Sequence, residues 1–232
     1  MNEPNLVIYS GGYRHPFAES SAALARVAQG IGLQTTITVS LSDAMEMVSG
    51  RRSILAVNAL RWSMTQAERH AADRAEWGAL LDDGDMAQIA GHVAGGGSLL
   101  ALHTAVICWD NQPSWIDLLG GGWHWDHSFH PPLGAVTADL TPAGAALSTG
   151  ERRFKLVDEV YHNMDLARDC EVLASADAGH GPVPVIWRRM HRTGKIAVDT
   201  LGHDGASLQH PAHAAILAGL LEWLRGDAAR SP

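Results

Sequence analysis

Cysteine, lysine and long apolar runs are all scarce in this 232-residue chain, and each shortage excludes something. There are two cysteines, Cys108 and Cys170. They can build neither a disulfide framework nor a cysteine-based metal knuckle, which fits a reducing compartment. The only lysines are Lys155 and Lys195, and 17 basic residues face 25 acidic ones for a net charge of -8. Neutralising a phosphate backbone needs clustered cations, so nucleic acid is not an expected partner. No apolar run approaches the roughly 20 residues that a membrane helix needs. The opening segment, Met1 to Pro16, has neither the basic n-region nor the apolar core of a secretory leader. A cytoplasmic protein without a membrane partner is the resulting expectation.

Present in abundance are apolar residues, 46% of the chain, and histidine, with thirteen copies. The first supports a real core. The second raises the question of whether the histidines converge, because imidazole is the usual metal ligand and the usual acid/base near neutral pH.

Short β-branched or apolar runs alternate with helical patterns along the first half. Leu6 to Ser10, Thr35 to Val39, Ser53 to Asn58 and Ser98 to Leu102 read as strands; Glu19 to Gln29, Asp43 to Val48 and Asp85 to Ala94 read as helices. This alternation predicts an α/β fold with a parallel sheet covered on both faces. Trp62 to Leu81 reads as an insertion of one or two helices. Further strands are expected at Leu133–Leu140, Phe154–Val157, Glu171–Ala176, Val183–Arg188 and Lys195–Thr200, with a closing amphipathic helix at Pro211–Leu224.

Ser98 to Ala105, preceded by three glycines, has the outline of the strand and sharp turn that presents a nucleophile in α/β hydrolases and class I glutamine amidotransferases. Where that elbow requires Ser or Cys, this chain has His103. Cys108 lies five residues on and reads as a small packed hydrophobe on a following helix. An active amidotransferase or cysteine hydrolase is therefore disfavoured. Gly11-Gly12 lacks the spacing of a phosphate loop and simply turns the chain.

Tyr13-Arg14-His15 after the first strand, Gly95-Gly96-Gly97 with His103-Thr104-Ala105, Leu119-Gly120-Gly121-Gly122 with His127, Asp158-Glu159-Val160-Tyr161, Pro184 with Trp187, and Gly194-Lys195 followed by Leu201-Gly202-His203-Asp204 together resemble the ThuA family, named for trehalose utilisation. The motifs stand in the family's order over nearly the whole chain. The resemblance implies a class I glutamine amidotransferase-like, flavodoxin-like fold without the catalytic cysteine: a single-domain three-layer sandwich with a mostly parallel sheet over residues 1–225, and a tail at 226–232. It also implies a link to disaccharide or oxidised-sugar catabolism. Thr141-Pro142 replaces a frequent His-Pro, Val160 replaces the leucine of a DELY stretch, and residues 191–195 differ. These changes leave the substrate open, since loops set it.

Read from the residues, His15, His103, His127 and His203 all fall in loops at predicted strand ends, on one rim of the sheet. They can bind a divalent metal such as zinc, with Glu159 or Asp126 as carboxylate ligand or base, or they can form a metal-free histidine site. Catalytic roles are expected for His103, Glu159 and His203. Contacts to a carbohydrate are expected from Arg14, His15, Trp123, Asp126, His127 and Tyr161, because Trp faces stack on sugars while His and Asp bond hydroxyls. His124 and His130 flank this rim; the other seven histidines read as structural or surface. Strand alternation places Glu159 and Tyr161 on one face and Asp158 on the other. The expected activity is hydrolysis or isomerisation of a disaccharide or keto-sugar; the alternative is a non-catalytic carbohydrate-binding or regulatory domain. Exposed tryptophans among Trp62, Trp77, Trp109 and Trp115 would serve a homo-oligomer interface.

Overall fold

The computed structural model describes residues 5–226. Nine strands make one sheet in the order β2-β1-β3-β4-β9-β8-β7-β5-β6. The elements run β1 (Leu6–Gly12), α1 (Phe17–Gly30), β2 (Thr35–Thr38), α2 (Leu41–Val48), β3 (Ile54–Leu60), α3 (Arg74–Trp77), α4 (Asp83–Ala94), β4 (Ser98–Leu102), α5 (Pro113–Leu119), β5 (Gly134–Leu140), α6 (Pro142–Leu147), β6 (Arg153–Asp158), β7 (Glu171–Asp177), β8 (Val183–His191), β9 (Gly194–Asp199), α7 (Gly205–Gln209) and α8 (Pro211–Arg225).

The sheet is mixed. β2, β1, β3, β4 and β9 pair in parallel, as the βα alternation predicts, while β9, β8, β7, β5 and β6 pair antiparallel. Hairpin-length connections join β7 to β8 and β8 to β9 and can only return the strand antiparallel, whereas β5 and β6 are joined through α6.

Both faces are covered, and the central parallel strands β1, β3 and β4 bury apolar residues on each of them. Leu6 and Ile8 of β1 point to a core shared with α1 and α8, while Val7 and Tyr9 point to the other side, against α2, α4 and α5. In α8 the buried positions Ala212, Ile216, Leu220 and Leu224 recur every fourth residue, the spacing of one helix face. Pro211 at its first turn sacrifices no hydrogen bond there. Gly12 is required where β1 leaves the sheet: a Cβ would stand 2.2 Å from the Leu60 carbonyl oxygen, and its φ of +130° suits only glycine.

Three expectations change. The 62–81 insertion holds only a 3-10 turn at Glu68–His70 and the single-turn α3, because its apolar residues lack helical spacing. Cys108 caps a 3-10 turn, His103–Ile107, instead of lying on a helix. Trp62, Trp109 and Trp115 are buried core side chains, so they offer nothing to an interface. Of the tail at 226–232, all but Gly226 lies outside the described residues.

Candidate functional site

The parallel strands β1, β4 and β9 each deliver one histidine at their carboxyl ends, where open α/β sheets form their crevices. β4 runs directly into His103, which is 2% exposed and holds φ at +49°. A left-handed conformation at a buried non-glycine residue on a strand-to-turn junction is the backbone of a nucleophile elbow, here carrying imidazole. His103 Nδ1–H donates to the Thr200 carbonyl at 2.9 Å, leaving the Nε2 lone pair facing the crevice. His15 follows β1 and its Nδ1–H donates to the Tyr13 carbonyl at 3.1 Å. Its Nε2 is buried and has no hydrogen-bond partner, and the same is true of His203 Nδ1. The three rings lie 4.9 to 5.4 Å apart, centroid to centroid.

Glu159, the first residue past β6, completes the group. Its Oε2 is 3.6 Å from His103 Nε2 and 3.5 Å from His203 Nδ1, and its Oε1 is 3.8 Å from His130 Nδ1. The Tyr161 hydroxyl sits 3.0 Å from His103 Nε2 and 3.4 Å from Glu159 Oε2. Asp158 turns the opposite way. It is 1% exposed, and its carboxylate accepts from the backbone N–H of Gly202 at 2.8 Å and of His203 at 3.3 Å, and from the Ser207 hydroxyl. Gly202, with φ at +104°, lets this loop fold tightly over the carboxylate. Asp158 thus positions His203. Asp158→Asn is expected to cost about 1–3 kcal/mol in urea denaturation, since the amide leaves at least one buried N–H or O–H donor facing another donor.

Charge follows from this geometry. Burial, reinforced by neighbouring His103, pushes the His15 imidazole down to about 4, so it is neutral at pH 7. Burial works to raise the Glu159 carboxyl, but the interactions with His103 and His203 outweigh it and hold the group well below the usual carboxylate range. His203 is raised above its ordinary value by the same carboxylate, against the effect of its own burial. Burial and the nearby Glu159 raise Tyr161, which stays protonated.

The donor set suits a divalent ion. One ligand atom each from His15, His103, Glu159 and His203 lies within 4.8 Å of all the others. Three imidazoles and one carboxylate match zinc chemistry, and tying Nδ1 of His15 and His103 to carbonyls fixes the tautomer that offers Nε2.

Other expected site residues go elsewhere. His127 is not with the rim histidines; it faces Asp165, 2.9 Å away, and Asp126 on its other ring nitrogen, also 2.9 Å away. The loop carrying it is fastened to residues 162–165 and not to the strand ends, so the four-histidine rim becomes three histidines and a glutamate. Asp126 is 82% exposed. Arg14 is 72% exposed and reaches Asp73 at 3.3 Å, since its left-handed backbone turns the side chain away from the His15 side. Trp123 does border the site, edge-on to Tyr161 at 5.7 Å and to His130 at 5.9 Å. His130, expected only to flank the rim, stands beside Glu159, and Asp158 lies on the face opposite Glu159, as strand alternation predicts. The crowding of histidine and tryptophan between 123 and 130 is the one signal for His130; alternation gives the side of Asp158 but not its role as anchor of the Gly202–Ser207 loop.

Cys108 is 2% exposed, its thiol is pushed up to about 12 by burial, and its S–H donates to the Ala59 carbonyl at 3.1 Å. A nucleophile needs an accessible thiolate, so this side chain is structural. A cavity of about 590 Å³ between α6 and α8, lined by residues such as Glu171, Arg188 and Trp223, contains none of the convergent groups. Unpaired imidazole nitrogens facing one point are the stronger chemical signal.

Among solved structures, the chain resembles a ThuA-like protein from Parabacteroides merdae ATCC 43184, at 13% identity and a TM-score of 0.76 over 100% of this chain and 93% of that one. It also resembles a cytoplasmic protein from Salmonella typhimurium LT2, at 12% identity and a TM-score of 0.63 over 94% and 99% of the two chains. A cold-adapted beta-galactosidase from Rahnella sp. R3 matches with 12% identity and a TM-score of 0.63, over 97% of this chain but 32% of that one. At these identities the likeness is one of fold. No curated protein sequence matches the chain significantly. Residues 5–224 match the family model for ThuA, trehalose utilisation, and the chain therefore belongs to the ThuA family, on a class I glutamine amidotransferase-like fold.

Proposed function

We propose that this protein is an enzyme of carbohydrate metabolism that hydrolyses or isomerises a disaccharide or keto-sugar by acid/base or metal-assisted chemistry in the His15–His103–Glu159–His203 pocket. We place it in the cytoplasm, in keeping with the family's link to sugar utilisation and with the Salmonella relative described as cytoplasmic. The observation that carries the reading is the convergence of three imidazoles on one half-buried carboxylate, with two ring nitrogens left unpartnered. Buried polar atoms without partners are costly and mark places where a ligand completes the bonding.

A bound divalent ion such as zinc would supply Lewis-acid polarisation of a sugar oxygen. His15, His103, Glu159 and His203 would hold it. His15 and His103 keep their Nε2 lone pairs aimed inward because Nδ1 is committed to a carbonyl. In the metal-free version of this chemistry Glu159 and His203 instead form the acid/base pair: the ionised carboxylate accepts a proton at Oε2, and the imidazolium holds one at Nδ1. Tyr161, kept protonated, donates from its hydroxyl to His103 Nε2 or to Glu159 and so orients both. Trp123, edge-on to Tyr161, presents an apolar wall against which a sugar face can lie.

The test takes tag-free protein, measures its divalent metal content, and follows trehalose, other disaccharides and their keto derivatives by proton NMR. Near-stoichiometric metal and turnover that stops on chelation and returns on adding zinc are the expected results. Turnover insensitive to chelator, in protein devoid of metal, removes the metal from the mechanism. Saturable sugar binding with no turnover of any substrate would instead make the protein a carbohydrate-binding module.

A further inference from the structure

A second group of metal-type ligands lies outside the pocket, where the loop bearing Trp123 meets the segment after Tyr161. His127 Nε2 is 2.9 Å from Asp165 Oδ2, and His124 Nε2 is 3.8 Å from the same oxygen. The two rings are nearly parallel, at 14° and 4.9 Å, and one ligand atom from each of the three residues lies within 4.8 Å of the others. We propose that His124, His127 and Asp165 form a surface site for a divalent transition metal of the zinc class, which clips the 123–130 loop onto residues 163–165.

The local chain places these side chains together. The N–H groups of His127 and Ser128 both donate to the His124 carbonyl, at 3.2 and 2.8 Å, and the His124 N–H donates to the Ser128 hydroxyl at 2.9 Å. This closed turn brings residues 124 and 127 to one side. The turn is then fastened across: the Ser128 hydroxyl donates to the Asn163 carbonyl at 2.8 Å, and the Asn163 amide donates to the His127 carbonyl at 2.9 Å.

An exposed ion pair alone does not account for the arrangement. His127 has a carboxylate on each ring nitrogen, Asp126 on Nδ1 at 2.9 Å and Asp165 on Nε2. A carboxylate on the far nitrogen of a ligating imidazole is the usual outer partner that fixes its tautomer and raises its basicity. A simple ion pair of this exposure contributes little and has no use for the stacked ring of His124 turned to the same oxygen. Two nitrogen ligands and one oxygen select zinc or a neighbouring transition metal over magnesium or calcium, which prefer all-oxygen sites. Three protein ligands leave a coordination position to solvent. The site is thus expected to be weaker than the pocket with its four donors. Its occupant would steady Trp123 and His130, the loop residues that border the pocket, but the site exists independently of any reaction there.

Calorimetric titration of tag-free apoprotein with Zn²⁺, repeated with Co²⁺ to read its d–d absorption, tests this. Wild type is expected to show two binding events. His127→Ala and Asp165→Ala should each weaken the lower-affinity event by roughly tenfold or more, with His124→Ala as a third variant, and leave the tighter event in place. The proposal is overturned if these variants titrate like wild type, or if wild type shows one event that Glu159→Gln abolishes. A single event lost in His127→Ala and kept in Glu159→Gln would support the surface site while removing the metal from the pocket.

Discussion

Glu159→Gln is expected to weaken zinc binding in the pocket by on the order of 100-fold or more, the scale on which metal sites respond to lost ligation or lost outer partners. The exchange is nearly isosteric, so packing around the 12%-exposed side chain survives. What is lost is the only anion among four ligands, and with it the attraction that offsets burying a dication. Titration of the apoprotein with Zn²⁺ by calorimetry reads this directly; an affinity equal to that of wild type would show that Glu159 is not a ligand. The same variant should change the apoprotein's acid/base behaviour. In wild type the Glu159 carboxyl is held below its ordinary 4.5 and His203 is raised above 6.5. The carboxylate's share of the pair's stability is present above 4.5 and is lost as the pH falls; the imidazolium's share is present below 6.5 and is lost as the pH rises through its elevated value. The pair is therefore strongest between these values. In Glu159→Gln, His203 should titrate at lower pH than in wild type, as read from its proton NMR shifts.

His213→Ala is expected to cost about 3–5 kcal/mol of folding stability, the usual penalty for stripping one partner from a buried ion pair. His213 and Asp199 are both fully buried. His213 Nε2–H donates to Asp199 at 2.9 Å, and Nδ1–H donates to the Ser207 carbonyl at 3.0 Å, so the ring is an imidazolium with both protons used. Asp158, which holds Ser207, adds negative charge nearby. Burial works to lower the imidazole, but Asp199 outweighs it and raises the group. A raised folded value means that the stabilisation is complete below the ordinary 6.5 and declines as pH climbs through the folded value, by at most ~1.4 kcal/mol per pH unit. Asp199→Asn separates charge from hydrogen bonding. Its amide can donate to a neutral Nε2 while Nδ1–H keeps the Ser207 carbonyl, so the loss should be near ~1 kcal/mol and the decline above pH 6.5 should vanish. Urea denaturation at pH 6, 7 and 8 checks both variants. A His213→Ala protein as stable as wild type would mean that the pair is not ionised in the fold.

Much of the architecture was legible because it is written in short-range patterns. β1, β3 and β4 carry unbroken apolar runs bounded by glycine or polar residues, and α4 and α8 carry apolar faces with clear ends; all appear within a few residues of where the pattern places them. The single-turn α3 and the short α5, α6 and α7 have too few residues to display a period. The mixed character of the sheet is a matter of strand order, which depends on pairing across the whole chain.

The site divides in the same way. His15, His103 and His203 could be named because each stands just past a recognisable strand, and parallel strands bring their carboxyl ends to one rim. His127 fails by the same logic: it lies in a long connection before β5 whose destination no local pattern sets. That destination is decided by hydrogen bonds to residues 162–165, which make His127 a partner of Asp165. Asp158 and Glu159 are adjacent carboxylates at the end of one strand, indistinguishable in composition. Pleat alternation sends them to opposite sides, and only the packed loop after β9 makes one a buried anchor and the other a partner of three histidines.

By itself, then, the sequence determined the α/β class, the family, the absence of a usable cysteine at the elbow and the histidines that strand ends deliver, since all of these rest on local pattern or residue identity. The tertiary structure decided the mixed sheet, the exclusion of His127 from the central cluster and the choice of Glu159 over Asp126 as its carboxylate, the anchoring role of Asp158 and the burial of the His213–Asp199 pair. These depend on contacts between residues distant in the chain, and such contacts leave no periodic trace along it.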